Sequence, residues 1–342
     1  MEKKWNVAVV GATGAVGQTM VATLVSRRFP FRDLKLLASS RSAGQSLDIP
    51  GQSLKVEELQ GDSFYGVDIA LFSAGGAVSR QWAPVAVKSG AVVVDNTSAF
   101  RMDPDVPLVV PEVNPGDLSQ FGRKGIIANP NCSTIQMVVA LKPLHDIFRI
   151  RRIVVSTYQA VSGAGRRALA ELAAQQRALA LGEPLPPPGV FPHAVAESCL
   201  PHIGAFTPDG HTEEELKMIN ETRKIMGEAA MKVAATCVRV PVGYSHGESV
   251  NVEFEKDFTL NEVKSLWQET PGLIILDDPA ANQYPLQGEA RGMDPVFVGR
   301  LKRDFSVPHG LSFWCVSDNL VKGAALNAVQ IAEILIHSHL KS

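Results

Sequence analysis

No two cysteines stand close together in these 342 residues: Cys132, Cys199, Cys237 and Cys315 are scattered, and the chain has no CxxC. That spacing excludes a disulfide framework and a structural zinc site, and predicts four reduced thiols. Histidine offers a metal no more, since His193, His202 and His211 are too far apart for a common ligand motif. No metal is expected. A basic excess is missing too: the formal net charge is -2, so no nucleic-acid partner is expected. Long apolar runs are absent. The opening "MEKKWNVAVVGATGAVG" is broken by glycine within a few residues, and no later run approaches the ~20 residues of a membrane helix. A cytoplasmic protein without a membrane partner is the expectation.

What is present is the composition of a globular enzyme, 45% hydrophobic and 20% charged. The length exceeds one ordinary core and predicts two domains. In the first, residues 1–133, the segment "WNVAVVGATGAVGQTMVATLVSR" changes period. Val7 to Val10 suit a buried parallel strand, after which Val16, Met20 and Leu24 recur at helical spacing. Strand-like runs at "LKLLAS", "VDIALFSA" and "AVVVDNTS" follow, which makes the fold class α/β, a doubly wound Rossmann-like sheet. Residues 134–322 change texture. "RRALAELAAQQRALALG" reads as a helix, "EPLPPPGVFPH" as an excursion outside the core, and "TEEELKMINETRKIMG" as a helix capped by Thr212 and Glu215 and stopped by Gly227. Strands alternating with turns around them predict an α+β half with one sheet face exposed or covered by a partner. Residues 323–342 read as a long amphipathic helix.

Gly11, Gly14 and Gly17 follow the first strand as GxxGxxG. The spacing alone also describes a bare glycine-rich loop, but its place between first strand and first helix suits close approach to a pyrophosphate. An NAD site usually carries an acid about 20 residues further on. Here Ser39-Ser40-Arg41-Ser42 close the second strand without a carboxylate, which favours NADP over an incidental polar turn. Cys199, Cys237 and Cys315 read as small core residues. Cys132 differs, because in "NPNCSTI" it has polar neighbours and opens a helix, where the macrodipole favours thiolate. A thiol nucleophile needs a base. His246, in "RVPVGYSHGESV", supplies one if it meets Cys132 and is otherwise a solvated turn residue. Arg239 lies among valines and requires an anion. Arg101 follows a strand, and Glu214 and Lys217 share a helix face as a solvated pair or as part of a site.

The ordered set "GATGAVG", "SSRSAG", "DNTSAFR", "NPNCSTIQ", "QAVSGAG", "EELKMINETRKI", "RVPVGYSHGESV" and "SDNLVKGAALNAVQIAE" spans nearly the whole chain. It resembles the aspartate-β-semialdehyde dehydrogenases. The resemblance implies a Rossmann-like NADP domain onto which the C-terminal helix packs back, and a catalytic α+β domain similar to that of glyceraldehyde-3-phosphate dehydrogenase, assembled as a homodimer. It implies reversible NADPH-dependent conversion of L-4-aspartyl phosphate to L-aspartate 4-semialdehyde and phosphate, toward lysine, methionine, threonine and diaminopimelate. By the same resemblance Cys132 is the nucleophile, His246 the acid/base and Gln159 the residue orienting the intermediate. Arg239 is assigned to the substrate carboxylate, Glu214 to its amine, and Arg101, Asn131 and Lys217 to phosphate. Gly11, Thr13, Gly14, Ala15 and Val16 fall to the pyrophosphate, Ser39, Arg41 and Ser42 to the 2′-phosphate, and Ser162 and Gly163 to the nicotinamide, with Asn319 closing over the cofactor. Val321 departs from the basic residue of many relatives, leaving Lys322 to serve. N-acetylglutamyl phosphate reductase, whose substrate nitrogen is uncharged, and a non-catalytic NADP-binding sensor are the alternatives.

Overall fold

The computed structural model describes residues 3–340, which divide into two compact units, 1–131 with 324–342 and 132–323. The first unit opens with β1 (Trp5–Val10), α1 (Ala15–Ser26) and β2 (Phe31–Ala38). A hairpin, β3 (Ser46–Ile49) and β4 (Gln52–Glu58), precedes β5 (Ile69–Phe72), α2 (Gly76–Lys88), β6 (Val92–Asp95) and β7 (Ile126–Ala128). The sheet order is β3-β4-β2-β1-β5-β6-β7, with every pair parallel except β3 with β4. Continuous apolar runs such as Ile69–Phe72 are buried throughout, as strands covered on both faces must be. The β3–β4 hairpin was missed, although a short period-2 signal marks it: Leu47 and Ile49, then Leu54 and Val56, alternate with polar residues on either side of Pro50-Gly51.

The second unit begins with α3 (Cys132–Phe148), which runs unbroken through Pro143. β8 (Ile150–Gln159), α4 (Arg166–Leu181), α5 (Glu213–Met226), β9 (Lys232–Arg239) and β10 (His246–Phe254) follow. α6 (Leu260–Gln268), β11 (Leu273–Ile275), the short α7 (Gln287–Ala290), β12 (Val296–Asp304) and β13 (Gly310–Ser317) complete it. Their mixed sheet has the order β11-β12-β13-β10-β8-β9. Along β8, Ile153, Val155 and Thr157 are buried on one face while Arg152 and Tyr158 stand exposed on the other. α5 has both halves of its capping box, Thr212 N–H to Glu215 Oε2 (2.8 Å) and Glu215 N–H to Thr212 Oγ1 (3.3 Å), and ends at Gly227 in the left-handed region. Glu215 also accepts from Cys237 N–H (3.2 Å), tying the first turn of α5 to β9.

The chain then returns to the first unit through α8 (Leu326–Ile334), flanked by π-turns at Val321–Ala325 and Leu335–His339. The expected amphipathic pattern holds in the second half, where Gln330, Glu333 and His337 are partly or fully exposed at helical spacing, whereas every residue from Lys322 to Val329 is buried. Ala325, Ala328, Val329, Ile331, Ala332, Leu335 and Ile336 share one core with Val7, Val9, Met20, Leu24 and Leu36.

Candidate active site

In the first unit the turn after β1 makes a cradle. Gly11 adopts φ +86°, and a Cβ there would fall 2.8 Å from the Ser73 carbonyl oxygen. A Cβ on Gly17 would lie 2.1 Å from the Gly11 oxygen, so α1 meets the turn at a distance only glycine allows. α1 begins after Gly14 with no side-chain cap and no acid in its first turn, leaving its amide end to an anion. A cavity of about 640 Å³ lies over this turn, lined by Gly11, Thr13, Gly14, Ser39, Arg41 and Ser42. Ala15 and Val16 open the helix beneath. Glycine, free amides, hydroxyls and an exposed arginine fit a phosphorylated dinucleotide. Glu58, Ser73 and Trp82 line the same cavity and were missed, since they come from β4, the end of β5 and α2, and only the sheet order brings them there.

The second unit gathers its chemistry at one end of three neighbouring strands. β8 ends at Gln159 and its parallel neighbour β9 at Arg239, its register partner, while antiparallel β10 starts at His246. All three side chains are buried. His246 Nδ1 accepts from the Ala160 N–H (3.0 Å), which fixes the ring proton on Nε2, and Nε2 has no hydrogen-bond partner among the described residues. Burial, reinforced by the Arg239 charge and opposed by Glu214, pushes the His246 pKa down to about 3, so the imidazole is neutral at ordinary pH. Arg239 donates to the Ala160 carbonyl (2.5 Å), and the rest of its guanidinium makes no hydrogen bond among the described residues. The guanidinium and the imidazole both face Gly163: a Cβ there would stand 3.2 Å from Arg239 Nη1 and 3.4 Å from His246 Nε2.

Ser245, immediately before the histidine, carries φ 67°, a strained setting for a residue with a Cβ. It is held there by Asn319 Oδ1, which accepts from Ser245 N–H (3.0 Å) and from Ser162 Oγ (3.0 Å), and by Gln287 Nε2, which donates to its carbonyl (2.8 Å). Ser162 and Asn319 thus meet in this unit. Buried Glu214 accepts from Gln159 Nε2 (3.2 Å) and from Lys217 Nζ (3.0 Å), so the helix pair is joined to the strand ends and is not merely solvated. Cys132 opens α3 and interacts electrostatically with Arg239. A Cβ on Gly323 would lie 2.7 Å from the Cys132 Cβ, so the next turn along packs directly on the thiol residue.

Arg101 and Asn131 are buried in the first unit. Arg101 donates from Nε to Asn129 O (2.9 Å) and from Nη2 to Asn96 O (2.9 Å), within a knot in which Asn129 also bonds Asn96 and Asn327. Lys322 is buried. The thiols divide unevenly: Cys237 and Cys315 are core residues as expected, with Cys237 pushed well above the ordinary thiol range by burial. Cys199 is instead exposed: the segment around it crosses the surface and turns Val195 and Leu200, not the thiol, toward Ala168 and Leu172 of α4.

Residues 6–121 match the family model described as semialdehyde dehydrogenase, NAD binding domain, and residues 141–322 the one described as semialdehyde dehydrogenase, dimerisation domain. These matches define the class, a dinucleotide-dependent oxidoreductase of two domains. The aspartate-semialdehyde dehydrogenase of Aquifex aeolicus is 55% identical over 333 residues, covering 97% of this chain and 98% of that protein. Among solved structures, aspartate semialdehyde dehydrogenase II of Vibrio cholerae complexed with ASA superposes with a TM-score of 0.96 at 46% identity, covering 99% of this chain and 100% of that one. The Candida albicans enzyme with NADP gives 0.76 at 28% identity, over 97% and 98%. The chain belongs to the aspartate-semialdehyde dehydrogenase family.

Proposed function

We propose that the chain catalyses the reversible NADPH-dependent conversion of L-4-aspartyl phosphate to L-aspartate 4-semialdehyde and phosphate, with Cys132 as nucleophile. The observation that carries this reading is the register placing Gln159, Arg239 and His246 at one strand end, with Glu214 bonded to Gln159, in the unit whose first helix begins at Cys132. The Cys132 sulfur attacks the acyl carbon, the carbon–oxygen bond to phosphate breaks, and phosphate leaves a thioester behind. Held by Gly11, Thr13, Gly14, Ser39, Arg41 and Ser42, a bound dinucleotide would supply the hydride that reduces this thioester. The sulfur then departs as thiolate, releasing the aldehyde. His246 holds its proton at Nε2 and offers it to the oxygen that becomes negative at each tetrahedral stage, so it acts as a donor. Gln159 orients the acyl group, and Gly163 leaves the space between Arg239 and His246 open.

The buried guanidinium of Arg239 takes the substrate carboxylate in a bidentate pair, and Glu214 takes the ammonium group. Arg101, Asn131 and Lys217 bind phosphate. Thr13, Gly14, Ala15 and Val16 hold the pyrophosphate, Ser39, Arg41 and Ser42 the 2′-phosphate, and Ser162 and Gly163 the nicotinamide, with Asn319 closing over the cofactor. The cofactor part is residues 1–133 with the C-terminal helix of 323–342, and the chemistry lies in 134–322, a division that the two compact units support; the chain assembles as a cytoplasmic homodimer. The exposed Tyr158 on the open sheet face and the dimerisation-domain match support the dimer. The absence of disulfides supports the compartment. This is a step of lysine, methionine and threonine biosynthesis.

The decisive assay follows nicotinamide absorbance on mixing protein, NADP⁺ and phosphate with aspartate semialdehyde, with N-acetylglutamate semialdehyde in parallel. Phosphate-dependent NADPH formation from the free-amine substrate alone is expected; formation from the acetylated one alone would transfer the chain to the rival reductase. Arg239→Leu should raise the KM for aspartate semialdehyde roughly a hundredfold, the range for removing a charged hydrogen-bonded partner. An unchanged KM would remove Arg239 from the carboxylate.

A further inference from the structure

Gln136 lies one helical turn after Cys132 on α3, on the same side of the helix, and is wholly buried. Its carboxamide is committed at both ends: Oε1 accepts from Ser317 Oγ (2.7 Å) and Nε2 donates to the His246 carbonyl (3.4 Å). The backbone carbonyl of the same residue faces Cys315 Sγ at 3.7 Å. His246 and Ser317 stand opposite one another in the β10–β13 register, so one amide bridges a single rung of the sheet. An amide buried in an otherwise apolar helix face costs desolvation that a methionine or leucine of similar shape would avoid. Its bonds end on the residue whose imidazole serves the reaction, two positions from the wholly buried Glu248 on the same strand. Burial pushes the Glu248 carboxyl well above the usual carboxylate range, and the Gln136 side chain opposes that. On the other side of Cys132, Gly323 packs against its Cβ, so the first turn of α3 is braced from both the strand and the turn that follows it.

We propose that Gln136 is a positioning residue, which fixes the first turn of α3, and with it the Cys132 sulfur, against the backbone of His246. It touches no substrate. The idea rests on the assignment of Cys132 and His246 made above, and acts through geometry: a displacement of about 1 Å at a reacting atom is enough to cost on the order of a hundredfold in rate.

The test compares purified wild type, Gln136→Met, Ser317→Ala, the double variant and Cys132→Ser in the full chain. Gln136→Met should lower kcat ten- to a hundredfold with KM for aspartate semialdehyde within about twofold. Ser317→Ala, which cuts the same bond from the other side, should lower kcat in the same direction by less. The double variant should be no worse than Gln136→Met, since both remove one link. A kcat within twofold of wild type in Gln136→Met, whatever happens to its melting temperature, would overturn the proposal, as would a loss carried wholly by KM. Should Gln136→Met fail to fold, Ser317→Ala decides alone by the same criterion. Turnover retained by Cys132→Ser would sink the underlying reading, whereas an inactive Cys132→Ser beside a normal Gln136→Met would sink only the positioning role.

Discussion

Cys132→Ser is expected to lower turnover of aspartate semialdehyde roughly a thousandfold or more while leaving NADP binding unchanged. The substitution changes one atom at the head of α3 and keeps the packing of Gly323 on its Cβ. It leaves the glycine cradle, built entirely from the first unit, untouched. On the proposed mechanism it removes a nucleophile that ionises readily and leaves readily: a serine hydroxyl makes an ester, which resists both hydride and expulsion far more than a thioester does. Steady-state absorbance gives the rate, and fluorescence titration with NADPH gives the affinity. Incubating wild type with aspartate semialdehyde and NADP⁺ without phosphate should accumulate a mass adduct on Cys132. Residual activity above about a tenth of wild type, or an adduct on another residue, would refute the nucleophile.

His246→Asn should cost about 10²- to 10⁴-fold in kcat, the range for a positioned proton donor. His246→Gln should retain appreciably more, because the longer amide can set an N–H near the place of Nε2. Equal loss in both variants would argue that the ring serves as a base and would contradict the tautomer fixed by Ala160. The same group shapes stability. Its folded-state pKa is pushed down to about 3 by burial and by Arg239, against about 6.5 in an unfolded chain. Between these values the unfolded state binds the proton first, so stability is full above pH about 6.5 and declines as pH falls toward 3. At pH 5 the wild type should have lost roughly 2 kcal/mol from this residue relative to pH 7. His246→Gln, compared by urea midpoints at the two pH values, should lack that part of the decline.

Much of this was legible where the cause is local. The glycine turn, the Thr212–Glu215 capping box and the Gly227 stop all depend on residues within a few positions of one another, and each stands where the sequence set it. That Gly11, Thr13 and Gly14 share a cavity with Ser39, Arg41 and Ser42 follows from the adjacent ends of β1 and β2. Glu58 and Trp82 were not legible, because distant strands deliver them to the cavity. Gln159 and His246 are 87 positions apart by their numbers, and only a parallel β8–β9 pair beside an antiparallel β10 puts their ends together. No periodicity encodes that order. Arg101 illustrates a subtler limit: a lone arginine advertises a need for acceptors, yet two of them are the backbone carbonyls of Asn96 and Asn129, invisible as letters. The C-terminal helix was legible in its second half alone: Gln330, Glu333 and His337 keep an outward polar face there, whereas Asn327 in the first half is buried and bonded inside the fold.

That helix also dictates an order of synthesis. Residues 132–323 form a unit whose sheet is complete within one continuous stretch of chain, whereas the core holding Val9, Leu24 and Leu36 needs Ala328, Ile331 and Leu335. Translation usually lets the N-terminal domain fold first. Here a ribosome delivers the last wall of the first domain only after the whole second domain has been made. The thiol-bearing half is therefore positioned to fold ahead of the cofactor half, whose β1–α1 layer waits, uncovered, for α8.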